Sequence, residues 1–173
     1  MTVPPAKPAW LKPLPQNIPE ALRAFPQWVC WRGVWVEGTN GKPGRWTKVP
    51  YQPNGQKASV TNQAHWTDFS EAVASCEDCE SDFDGFGFVL TENDPFVGID
   101  LDKCIDADGV IAIPVQAIIK AMNSYSEYSP SGTGIRIFVR GQLAKAIKQG
   151  KAEVYGAARY LTCTGWALKE VAV

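Results

Sequence analysis

Residues 28–36 read WVCWRGVWV, apolar or aromatic at nearly every position, and the pattern resumes in WTKVPYQ at 46–52 after the break GTNGKPG. β-Branched and aromatic side chains suit a pleated, half-buried surface, and a glycine-containing break between two such runs predicts a hairpin. GFGFVL (85–90) and PFVGIDL (95–101) are apolar runs, and the turn-forming TEND between them predicts a buried antiparallel pair. GIRIFVRG (134–141) is a further strand. AEVYG (152–156) and RYLTCTG (159–165) read as two more, with the alternation of an amphipathic hairpin.

Helical spacing is confined to three places. IPEALRAFPQ (18–27) is a short helix stopped by Pro26, and TNQAHWTDFSEAVASC (61–76) carries the cap-type residues Thr61 and Asp68. IAIPVQAIIKAMNSY (111–125) has the clearest period and starts near Pro114, a residue tolerated in a first turn. EYSPSGTG (127–134) reads as a loop, LAKAIKQG (143–150) as a short helix or turn. Residues 1–17, with five prolines and little periodicity, predict an extended lead-in or linker. Residues 18–173 are expected to form one domain of two lobes, about 18–85 and 86–173. Hairpins interspersed with helices argue an α+β fold with a largely antiparallel sheet.

Composition narrows the class without naming a partner. Hydrophobic residues make up 45% and charged residues 20%, ordinary for a soluble globular chain. No apolar run approaches the roughly 20 residues that span a bilayer, and MTVPPAKPAWLKPLPQ lacks the apolar stretch of a signal peptide, so a cytoplasmic location is expected and no membrane partner. A net charge of −1 leaves any nucleic-acid contact to a local basic groove. Five cysteines, an odd number, suit reduced thiols. Cys76 and Cys79 have zinc-like spacing, but there is no second pair and His65 is the only histidine, so the pair reads as neighbours on a helix.

Three segments offer chemistry. In VGIDLDK a strand would turn Val97, Ile99 and Leu101 one way and Gly98, Asp100 and Asp102 the other. Two carboxylates on one face of a central strand repel, and a divalent cation removes that conflict; Mg²⁺ binds through one or two carboxylates plus phosphates and water. Alone, the same pair reads equally as solvated strand-end residues. In SPSGTGIRIFVRG, Gly132 and Gly134 free backbone amides for an anion, and Arg136 shares a face with the aspartates if its strand joins their sheet. A structural ion pair is the plainer alternative there. In AEVYGAARYLTCTG, Glu153 supplies a third carboxylate and Arg159 a second cation. Trp28, Trp31, Trp35 and Trp46 are candidates to stack bases, although aromatic residues in strands more often fill a core.

Taken in order, AFPQWVCWRG, TKVPYQPNGQKASVTNQAHW, GFGFVLTENDPFVGIDLDKC, SEYSPSGTGIRIFV and EVYGAARYLTCTG resemble the archaeo-eukaryotic primase superfamily, in particular its phage and plasmid primase-polymerase branch. The likeness runs from about residue 19 to 168. It implies an RNA-recognition-motif-like sheet with flanking helices and an N-terminal α/β lobe, with 18–173 as the catalytic core. It implies template-directed nucleotidyl transfer, as a DNA primase, a DNA polymerase or both. Asp100 and Asp102 match the paired metal-binding acids, and Glu153 the third acidic position, holding Mg²⁺ or Mn²⁺. Ser131, Gly132 and Gly134 match the nucleotide-proximal loop and Arg159 a basic residue near the triphosphate, while Lys48 would face phosphate or template. Nucleoside triphosphates and a single-stranded DNA template are the implied partners.

Two departures qualify the resemblance. Many relatives have histidine where Arg136 stands; arginine stays protonated and serves no proton abstraction, but it binds phosphate bidentately. Relatives of this type are often the first part of a longer protein ending in a helicase, whereas this sequence ends at Val173. A helicase in cis or in trans is therefore expected. A single-stranded DNA or nucleotide-binding replication module, and a metal-dependent nuclease, are the competing readings.

Overall fold

The apolar runs form strands that sort into two antiparallel sheets. The structure, a computed structural model, describes residues 4–39 and 41–168. A single helical turn α1 (Glu20–Arg23) leads into the hairpin β1 (Trp28–Val36) and β2 (Arg45–Tyr51), paired as the alternation predicts. Then follow α2 (Phe69–Glu77), β3 (Gly85–Leu90), β4 (Phe96–Leu101) and α3 (Ile113–Met122). The chain continues through β5 (Ser126–Tyr128), β6 (Ile135–Arg140), β7 (Ile147–Gln149), β8 (Ala152–Tyr155) and β9 (Arg159–Cys163). The first sheet has the order β2-β1-β3-β9 and the second β5-β6-β4-β8-β7. The α+β expectation holds. The first sheet draws β1 and β2 from before residue 85 and β9 from beyond residue 158.

The expected pairing of 85–90 with 95–101 does not form. β3 and β4 are buried along their whole length, and each takes two neighbours. β3 takes β1 and β9, whereas β4 takes β6 and β8. The TEND turn serves as a crossover between sheets: Asp94 accepts from Thr91 N at 2.7 Å, Phe96 N at 2.8 Å and Gln27 Nε2 at 2.9 Å. β8 and β9 likewise form no hairpin, because residues 156–158 carry the chain from the second sheet to the first. Residues 147–149, expected as helix or turn, are a short strand that hairpins onto β8, and the predicted loop 127–134 begins inside β5.

Asp68 caps α2 by accepting from Glu71 N, whereas Thr61 lies in a separate turn and residues 63–65 form one 3-10 turn. Cys76 is on α2 and Cys79 beyond its end. α3 packs Val115, Ile118 and Ile119 against Ile99, Leu101, Ile135 and Ile137 of the second sheet. With that face covered by apolar side chains, alternation sends Gly98 and Asp100 to the other face. There β9, the edge strand of the first sheet, presses close. A Cβ on Gly98 would stand 2.8 Å from Leu90 Cδ1 and closer still to Leu161 Cδ1.

Of the proline-rich lead-in, residues 1–3 lie outside the described residues; 4–14 are irregular, Pro15–Asn17 form one 3-10 turn, and the segment does not behave as a linker. Leu11 N donates to Pro130 O and Trp166 Nε1 to Lys12 O, both at 2.8 Å, and Leu14 N donates to Thr164 O at 2.7 Å. Among the described residues, no helix is long and apolar enough to cross a membrane.

Candidate functional site

Five register partners across the second sheet are charged: Glu127 on β5, Arg136 on β6, Asp100 on β4, Glu153 on β8 and Lys148 on β7. Register partners project from the same face of a sheet. The aspartate, the arginine and the glutamate singled out in the sequence therefore stand side by side. Asp102 lies one residue beyond β4 along the same face, its amide still held by Lys151 O at 2.9 Å.

The middle of this row, Asp100 and Arg136, opens on a cleft of about 510 Å³ to which both sheets contribute. Asp100, Asp102 and Arg136 line it from the second sheet; Lys48, Arg159 and Thr162 line it from the first. Asp100 and Arg136 are buried, with Arg136 Nη2 3.4 Å from Asp100 Oδ2. Arg136 Nη1 donates to Thr162 Oγ1, so the guanidinium ties the two sheets together beneath the cleft. Asp100 Oδ1 is buried and accepts no hydrogen bond among the described residues. An unsatisfied carboxylate oxygen bears its full desolvation penalty, and a cation in the cleft would remove it.

The electrostatics agree with a shared field. Burial, reinforced by the charge of Asp100, pushes the Asp102 carboxyl up, while Arg136 and Lys48 pull against it. Burial and the Arg136 charge push the Lys48 ammonium down, against the attraction of Asp100 and Asp102. Two carboxylates, one with a free buried oxygen and one disfavoured as an anion, suit a hard divalent cation.

Glu153 is placed differently. Its carboxylate accepts from the Tyr155 hydroxyl and pairs with Lys148 at 3.0 Å and Arg159 at 3.7 Å. Tyr155 first, then Lys148 and Arg159, hold it below the ordinary glutamate range against the opposing effect of burial. Glu153 thus shares the row but points its charge at its own partners and does not line the cleft. Among the described residues, no group of three or more histidine, cysteine or acidic side chains is gathered where it could hold a metal ion.

Ser131, Gly132 and Gly134 also stay out of the cleft lining. Their loop braces the backbone that carries Asp102. A Cβ on Gly134 would stand 2.7 Å from Leu101 O, and Cys104 N donates to Thr133 O at 2.9 Å. Gly132 has φ +73°, the left-handed backbone that glycine tolerates. Of the four tryptophans considered for stacking, Trp28 and Trp31 are core residues. Trp46 lines the cleft and packs edge-on against Trp35 at 5.8 Å.

The sequence reading missed Glu127. Fully buried, it accepts from Tyr125 Oη at 2.7 Å, Gly165 N at 2.8 Å and Thr164 N at 3.0 Å. Burial pushes its carboxyl up, although the Tyr125 hydroxyl and these amides favour the anion. Tyr125 and Glu127 in SYSEYS do alternate as strand residues, but the serines around them resemble a turn.

No protein-family profile matches the chain. It is 41% identical over 155 residues to a DNA primase-polymerase of Nitratiruptor phage NrS-1, an alignment that covers 84% of this chain and 20% of the relative. The chain therefore spans about a fifth of the length of the curated relative it matches.

Proposed function

Since this chain is a relative of phage-type DNA primase-polymerases over most of its length, we propose that it carries out template-directed nucleotidyl transfer, as primase, polymerase or both. The observation that carries the reading is the cleft itself. The orphaned Oδ1 of Asp100 and the neighbouring Asp102 stand beside Arg136 and share the cleft with Lys48 and Arg159 of the other sheet, acids for a cation beside cations for phosphates. Asp100 and Asp102 would hold Mg²⁺ or Mn²⁺. Glu153, the register partner of Asp100, would join them by giving up Lys148 and Arg159. The cation, when bound, supplies charge stabilisation for attack of a 3′-hydroxyl on the α-phosphorus and for departure of pyrophosphate. Lys48, Arg136 and Arg159 orient the triphosphate and neutralise charge on its oxygens, a contribution of proximity and electrostatics. Arg136, as an arginine, serves as no general base. The loop Ser131–Gly134 acts through the backbone of Asp102 that it braces.

The test is synthesis on a single-stranded DNA template with labelled nucleotides and Mg²⁺ or Mn²⁺, beside the variant Asp100→Ala/Asp102→Ala. Product should vanish in the variant. Undiminished synthesis there removes these carboxylates from the metal site. One observation favours a second reading, a domain that binds nucleotide or single-stranded DNA without joining it. Glu153 is already neutralised by Lys148 and Arg159, leaving two carboxylates in the cleft. Metal-dependent nucleotide binding unaccompanied by synthesis would select that reading.

A further inference from the structure

Residues 7–14 cross the molecule as a strap. Lys7 pairs with Asp84 at 2.6 Å, and the backbone of Leu11 and Leu14 is fixed to Pro130 and Thr164. Between these anchors the Trp10 ring lies edge-on to buried Trp31, centroids 5.7 Å apart. Lys48 Nζ stands 4.7 Å from the centre of the same ring. The register explains the fit: Gly33 on β1 is the partner of Lys48 on β2. With no side chain there, a notch opens beside the lysine stem. A Cβ on Gly33 would come 3.1 Å from Trp10 Nε1. The ring therefore sits in the notch, against Lys48, which lines the cleft with Asp100 and Asp102.

We propose that Trp10 is a positioning residue: it holds the Lys48 ammonium at the cleft so that the N-terminal strap, which lines none of it, sets the affinity for a polyphosphate. The assignment rests on the reading of the cleft as a triphosphate site. A lysine has a flexible four-carbon stem and must be ordered each time it grips a phosphate. An aromatic face on one side of the ammonium leaves the other side for phosphate oxygens and fixes the stem beforehand.

The experiment measures binding of inorganic tripolyphosphate, and of a deoxynucleoside triphosphate with Mg²⁺, by calorimetry. The proteins are wild type, Trp10→Leu, Trp10→Phe, Lys48→Met and Trp10→Leu/Lys48→Met. Trp10→Leu keeps an apolar plug without the aromatic face and should weaken binding roughly fivefold, the weight of about one cation–π contact. Trp10→Phe should recover most of that loss. In the Lys48→Met background the leucine substitution should change nothing, since the effect passes through Lys48. Equal binding by Trp10→Leu and wild type, or an undiminished loss in the Lys48→Met background, would overturn the assignment and leave Trp10 as packing. A second measurement needs no ligand: the rate at which an amine-reactive reagent labels Lys48, read by mass spectrometry. Labelling should quicken several-fold in Trp10→Leu with Lys57 and Lys120 unaffected; Gly33→Ala, which crowds the ring at Nε1, should do the same. Unchanged labelling overturns the proposal. If wild type binds neither polyphosphate, it is the triphosphate reading that fails, and labelling alone decides whether Trp10 holds Lys48.

Discussion

Asp100 and Glu153 face each other across β4 and β8, yet their charges are balanced in different ways. Asp100 is buried against a buried arginine, whereas Glu153 meets a half-exposed arginine, a more exposed lysine and a phenol. Removing one partner of a buried pair strands the other charge, at a cost of about 3 kcal/mol. A partly exposed pair is worth under about 1 kcal/mol. Asp100→Asn should therefore lower unfolding free energy in urea far more than Glu153→Gln. Equal losses would show that Arg136 is not left stranded.

The pH behaviour of Glu153 follows from its neighbours. Its carboxyl is held low, chiefly by the Tyr155 hydroxyl, so its folded value lies below its unfolded one. A depressed acid adds stability above the unfolded value, about pH 4.3, and loses it as pH falls through the folded value. In Tyr155→Phe the carboxyl should titrate at higher pH, followed by NMR, and stability should fall less steeply on the acid side. An unshifted titration would assign the effect to Lys148 and Arg159 instead.

Gly98 sets how closely the sheets approach. Gly98→Ala drives a methyl into Leu90 and Leu161, and overpacking of this kind costs about 1–3 kcal/mol. Leu161→Ala should recover part of the loss when combined with it, because it empties the space the methyl needs. Thermal unfolding of the two single variants and the double variant measures this, and strict additivity would mean that the methyl does not press on Leu161.

The strands were legible because their apolar and aromatic residues meet a local requirement, as were the carboxylates Asp100 and Asp102, which break an apolar run. Pairing was not legible. That β3 joins β9 and β4 joins β8 is decided by which distant segments cover a strand buried on both sides, and TEND looks the same whether it closes a hairpin or crosses between sheets. Lys148 and Glu127 were hidden in short strands among small or polar residues. Trp10 was hidden in a proline-rich stretch without periodicity, where only tertiary partners fix the chain.

Arg136 reaches two sheets at once, and that separates it from a lysine. One nitrogen of the fork faces Asp100 on β4 and the other meets the hydroxyl and carbonyl of Thr162 on β9, with both residues lining the cleft. A lysine at the same place keeps the charge but is a single point that engages one partner or the other. Arg136→Lys should therefore retain a folded protein while losing one charged hydrogen bond, about 1.5–3 kcal/mol in unfolding experiments. Because β9 also carries Arg159 into the cleft, loosening it from Asp100 should weaken nucleotide binding as well. The loss should exceed that of Thr162→Val, which removes only the hydroxyl. If Arg136→Lys matched wild type in both stability and nucleotide affinity, the two-sheet tie would have no part in shaping the site.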